Sequence, residues 1–218
     1  MNPIALLPPP LRAIAEIVLT LVVAAAIAFF AQAYIVKPYR VPTGSMIPTL
    51  QPGDRVIADR LSLDFHDPSR SEIVVFHPPI CRGDNNSEGA CDTNDRSLRV
   101  GASPETFIKR VIGLPGETIW AKHGSIWIKS PGQRAHRLSE PYLHGRRTAN
   151  FPHTVLPQKC YFMMGDNRGE SDDSRMWGCE PRGDMIGIAR VRYWPLDRIG
   201  LLSPAGRPAV AAPAAAAG

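Results

Sequence analysis

The chain has 218 residues, enough for one sizeable or two small domains with a real core. Its formal net charge of +5 is modest and spread along the sequence. That suits an ordinary solvated surface or proximity to anionic lipid headgroups, and argues against a dedicated nucleic-acid groove. The six histidines fall in no metal-binding pattern and no zinc-finger or nucleotide-binding spacing occurs, so no metal and no cofactor is expected.

In chain order, the first element is an apolar run from Ile17 to Val36 that carries no charged side chain. Twenty residues at helical rise span roughly 30 Å, enough to cross a bilayer core, so 17–36 is expected to be a transmembrane anchor behind a short N-terminus, 1–16. Ala31-Gln32-Ala33 offers the small-x-small ending of a cleavable signal peptide, but the run is longer than such a segment and its start is not strongly basic, since Glu16 balances Arg12. Lys37 and Arg40 flank the other end, so the distribution of positive charge does not choose an orientation.

Five residues beyond the run comes Pro42-Thr43-Gly44-Ser45-Met46-Ile47-Pro48-Thr49-Leu50, a serine on a Gly/Pro turn beside the membrane. It reads as a nucleophile held at the bilayer surface. The remainder, 37–203, shows short β-rich runs broken by Gly, Pro and Asp, with no sustained helical periodicity, and predicts a mainly β, antiparallel domain. Strands are expected over 55–58, 72–76, 106–112, 118–121, 125–129, 161–164 and 185–194, with a tight hairpin at His123-Gly124. Segments 77–104 and 133–155 read as irregular insertions, and the Ala/Pro tail 204–218 is too poor in large apolar groups to fold alone.

Four cysteines, Cys81, Cys91, Cys160 and Cys179, suit disulfides if this domain faces an oxidising compartment. Three pairings are possible, and Cys81 with Cys91 and Cys160 with Cys179 is the favoured one. Free buried thiols are the alternative; a zinc site is disfavoured by the lack of any Cys-x-x-Cys pair.

Two further segments carry chemistry. In Phe107-Ile108-Lys109-Arg110-Val111-Ile112, strand alternation sets Lys109 on the face of Phe107 and Val111. A lysine pressed among apolar groups loses its charge easily and can act as a base, whereas a snorkelling or salt-bridged lysine at a sheet edge would not. The polar stretch Gly165-Asp166-Asn167-Arg168-Gly169-Glu170-Ser171-Asp172-Asp173-Ser174-Arg175 would, taken alone, be a self-bonding turn network.

Taken together, the Ser45 turn, Gly53-Asp54-Arg55-Val56, Lys109-Arg110-Val111-Ile112-Gly113-Leu114-Pro115-Gly116-Glu117 and the 165–178 loop, in that order behind an apolar segment, resemble type I signal peptidases across roughly Tyr39 to Pro195. A Ser/His/Asp protease is disfavoured because no histidine lies in these blocks. The resemblance implies Ser45 as nucleophile and Lys109 as general base, with the Ser45 N–H and the Thr43 hydroxyl as oxyanion donors. It implies that Ser171 orients the lysine amine, that Asp166 pairs with Arg110, and that Asp173 pairs with Arg175. The implied substrates are secretory preproteins with small residues at the first and third positions before the cut, met at the lipid bilayer by an extracytoplasmic domain on a single anchor. The chain departs from the family pattern in that Thr43 occupies a position often held by serine, Gly169-Glu170 replaces a usual Asp-Asn, and the Cys81 to Cys91 segment is an insertion. Competing readings keep parts of this picture, either a maturation peptidase dedicated to one pilin or conjugation substrate, or a non-catalytic β domain that binds exported peptides at its edge.

Overall fold

The computed structural model describes residues 8–30, 36–81, 99–102 and 105–202. Helix α1, Pro9–Phe30, opens with proline at its first position, where the missing N–H costs nothing. Arg12 and Glu16 pair at 3.0 Å one turn apart, so the helix begins well before the uncharged run at 17. At its far end Val36 belongs to a strand rather than to a helix, which corrects the expected limit of 36. Among the described residues no helix is long and apolar enough to cross a membrane. The expected span of 17–36 runs over 31–35, including Ala31-Gln32-Ala33, which lies outside the described residues, as does the tail from 204.

After α1 come β1 (Val36–Arg40), β2 (Arg55–Asp59), the single-turn helix α2 (Ser62–Phe65), β3 (Ile73–Phe76), β4 (Pro79–Cys81), β5 (Arg99–Ala102) and β6 (Phe107–Gly113). The second half adds β7 (Thr118–Lys122), β8 (Ser125–Lys129), β9 (His136–Arg137), β10 (Phe151–Val155), β11 (Cys160–Met164), α3 (Ser174–Trp177), β12 (Glu180–Pro181), β13 (Met185–Trp194) and β14 (Gly200–Leu201). The large sheet runs β1-β2-β13-β3-β6-β11-β12, with β14 also on β13; a smaller one runs β10-β7-β8-β9. Every described pairing is antiparallel. All seven expected strands are present to within a residue or so. The β7–β8 hairpin turns on His123 at φ 54° and Gly124 at φ 81°, the two positive values that a two-residue turn requires.

The two expected insertions differ from the reading of the sequence. Segment 133–155 contributes β9 and β10 and buries Tyr142 and Leu143 in the core shared by the two sheets. Its strands were illegible because β9 is two residues long and β10, Phe-Pro-His-Thr-Val, is an edge strand whose pairing is irregular around a proline. In 77–104, β4 and β5 pair with each other. Cys91 and the rest of 82–98 lie outside the described residues, so the expected Cys81–Cys91 pairing does too. Cys160 and Cys179 are joined by a disulfide with Cα atoms 5.5 Å apart, stapling β11 to the segment that follows α3.

The core sits on both faces of the large sheet. All four residues of β3 are buried, so Val74 and Phe76 pack on one side with Val111 and Met163, and Ile73 and Val75 on the other with Ile108, Met46 and Leu50. A run apolar at every position is what a central strand covered on both faces needs. Lys109 lies on β6, between β3 and β11.

Candidate active site

Ser45 lies in a single 3-10 turn, Gly44–Met46, entered from an extended Thr43. The turn is pinned from below, since Val41, Met46 and Leu50 are almost fully buried in one apolar cluster. Its base is closed by backbone bonds from Val41 to the Asp54 carbonyl (2.8 Å) and from Gly53 to the Val41 carbonyl (2.9 Å). Gly53 makes that return at φ 91°, and buried Asp54 accepts from the Gln51 N–H (2.9 Å) and from Arg198 (3.1 Å). The block Gly53-Asp54-Arg55-Val56 thus clamps the neck of the Ser45 loop.

Lys109 is 3 % exposed. Its Nζ donates to Ser171 Oγ at 3.0 Å and stands 5.6 Å from the centre of the Phe107 ring. Burial is the dominant influence on the amine and lowers its pKa to about 8; Asp173 and Asp172 oppose that shift and Arg175 assists it. Lys109 and Ser45 line one cavity of about 710 Å³, together with Thr43, Val41, Phe107 and Ile108. The Thr43 hydroxyl faces the Ser45 hydroxyl, at 3.4 Å.

The polar loop after β11 locks these two groups to each other. The Asn167 N–H donates to the Ser45 carbonyl (2.9 Å), and Asn167 Nδ2 donates to the Gly44 carbonyl (3.1 Å). Gly165 runs so close that a Cβ there would collide with the Ser45 carbonyl and with the Ser171 side chain. Arg110, 1 % exposed, donates through Nε and Nη2 to Asp166 at 2.8 and 2.6 Å, and through Nη1 to the Ser71 carbonyl at 2.7 Å. Its guanidinium also stacks 3.9 Å over the Tyr142 ring, and Asp166 accepts from Thr49 in the Ser45 loop. Asp173 caps α3 and binds Arg175 Nε at 2.8 Å, while its other oxygen accepts from the Gly165 N–H at 2.9 Å.

Ser45, Lys109, Thr43, Ser171, Asp166, Arg110, Asp173 and Arg175 therefore converge on one region. Reading the sequence missed Thr49, Asn167 and a network of four side chains: Arg168 donates to Glu140 (2.5 Å) and Thr148 (2.6 Å), and Glu140 also accepts from Tyr142 (2.8 Å). The available signal was Glu140-Pro141-Tyr142, a carboxylate and a phenol in a segment otherwise rich in arginine and histidine. Among the described residues no group of three or more His, Cys, Asp or Glu is placed to hold a metal ion.

A serine on a braced turn and a buried lysine with a lowered pKa thus line one cleft within a mainly β domain. Residues 14–194 match the family described as signal peptidase, peptidase S26, and the chain belongs to that family. It is a serine endopeptidase of the signal peptidase I type. It is 34 % identical over 196 residues to a probable signal peptidase I-1 of Synechocystis, covering 90 % of each chain. It is 37 % identical over 171 residues to the signal peptidase I of Leptolyngbya laminosa, covering 78 % of this chain and 75 % of that one. A crystal structure of a signal peptidase I from Enterococcus faecalis aligns with a TM-score of 0.40 at 26 % identity, over 56 % of this chain and 97 % of that one.

Proposed function

We propose that this protein is a membrane-anchored Ser/Lys endopeptidase that removes N-terminal signal peptides from exported preproteins after small-x-small sites. The observation that carries the reading is the lysine: buried, bonded to Ser171, and lining the same cleft as Ser45. Neutral Lys109 takes the Ser45 hydroxyl proton as Oγ attacks the scissile carbonyl carbon. The oxyanion so formed accepts from the Ser45 N–H and from the Thr43 hydroxyl, which turns from Ser45 Oγ toward it. Collapse breaks the C–N bond, and the leaving amine takes the proton from the Lys109 ammonium. Lys109 then removes a proton from water, which attacks the acyl ester and returns Ser45 as the hydroxyl. The apolar lining from Val41, Met46, Phe107 and Ile108 favours small substrate side chains.

Support for the anchor comes from α1, whose Ile14, Ile17, Leu21 and Val22 are each more than half exposed and find their cover in a bilayer. The N-terminus is then cytoplasmic and the catalytic domain extracytoplasmic, where the Cys160–Cys179 disulfide persists. Ser45→Ala and Lys109→Ala are each expected to abolish cleavage of a preprotein by the detergent-solubilised enzyme while its thermal unfolding stays cooperative. Normal turnover by either variant overturns the dyad.

A further inference from the structure

Several arginines among the described residues have a carboxylate partner, among them Arg70 on Glu117, Arg168 on Glu140 and Arg198 on Asp54. Arg137, Arg146 and Arg147 have none, and these three meet in one cleft of about 400 Å³. Its walls are the β7–β8 turn with His123, the chain leaving β9 from Arg137, and the 143–147 segment. The Arg147 stem lies along Gly124, where a Cβ would come within 2.9 Å of its Cδ, so the bare turn makes room for that side chain. Glu140 also borders the cleft, but its Oε1 is committed to Arg168 and to the Tyr142 hydroxyl. Arg146 meets only neutral acceptors, with Nη1 donating to Asn167 Oδ1 at 3.1 Å and to the Ile47 carbonyl at 3.5 Å.

Three guanidiniums in a concave site repel one another, and concave walls focus their field. A tetrahedral oxyanion relieves that repulsion and matches the forked donors of arginine, each of which can bind it through two N–H groups. We propose that this cleft is a binding site for a phosphate-class oxyanion, either free phosphate or the phosphodiester of an anionic lipid headgroup. The site is separate from the catalytic cavity but shares Arg146 with the loop that grips Ser45, because Asn167 accepts from Arg146 and donates to the Gly44 and Ser45 carbonyls. A bound anion therefore orders a side chain that braces the nucleophile turn.

The test is calorimetric titration of the full chain in a neutral detergent with inorganic phosphate, and separately with short-chain phosphatidylglycerol, against chloride at equal ionic strength. Saturable binding is expected, at least tenfold weaker in Arg137→Gln/Arg147→Gln, with preprotein cleavage in phosphate-free buffer unchanged in that variant. Both side chains are exposed, and an unaltered melting curve in phosphate-free buffer verifies the fold. Binding of phosphate alone identifies a free oxyanion; binding of the phosphodiester as well identifies the headgroup. Absence of saturable binding of both probes to the unmodified protein overturns the proposal, and so does binding that is equal in the double variant.

Discussion

The burial of Lys109 bears on both its proposed role as a base and the stability of the fold. An amine with a pKa of about 8 is about one-tenth neutral at pH 7 and about one-hundredth at pH 6. With Lys109 as base, kcat/KM on a preprotein peptide is expected to rise roughly tenfold per unit from pH 6 and to level off above 8; a rate flat down to pH 6 would count against it. The same burial bears on folding. Free in an unfolded chain the amine titrates near 10.5, so between about 8 and 10.5 the unfolded state binds more protons and stability rises with pH. Below that window the full cost is present, about 3 kcal/mol at 1.36 kcal/mol per unit. Lys109→Met, which keeps the stem and removes the charge, is expected to be inactive yet to melt a few degrees higher at pH 7, with the gain fading toward pH 10.5 in thermal scans. Alternation along Phe107–Ile112 made the apolar surroundings of Lys109 legible in the sequence. Its bond to Ser171 spans 62 positions, and that pairing came from family resemblance rather than from local pattern.

At the scale of elements, the Ser45 turn and the polar loop after β11 are held face to face, with the Gly44 and Ser45 carbonyls as acceptors. Asn167 bridges them with its main-chain and side-chain donors, so Asn167→Ala keeps one bond and loses the other. The expected result is a fall in kcat of about tenfold with KM little changed, the signature of a nucleophile less well aimed, read from initial rates. Such a role could not be seen in the sequence. Asp, Asn, Ser and Arg packed into a short stretch ordinarily satisfy one another, and nothing local reveals that an amide faces outward to another loop. The strands fared better because the seven expected ones hold two or more β-branched, aromatic or other large apolar residues within a short run, and most have Gly, Pro or Asp at one end or both. Strands of two residues, and an edge strand broken by Pro152, have no pattern long enough to register.

For the whole molecule, the Cys160–Cys179 disulfide closes a loop that contains the entire polar segment 165–175. By the loop-closure estimate a ring of this size contributes about 3 kcal/mol. Cys160→Ser/Cys179→Ser is expected to melt several degrees lower in calorimetry while retaining cleavage at 25 °C, since both cysteines belong to the apolar cluster between the sheets rather than to the lining of the Ser45–Lys109 cavity. Arg110 joins even more of the chain. Its one guanidinium meets Thr49 in the Ser45 loop, Ser71 before β3, Tyr142 from the 133–155 segment and Asp166 after β11. Four stretches separated by up to 117 positions must all arrive before that charge is satisfied, and the loops carrying Ser45 and Ser171 are among them. A half-folded copy therefore leaves the Arg110 charge unsatisfied and the loops of Ser45 and Ser171 apart, so the cleft comes together only with the fold as a whole.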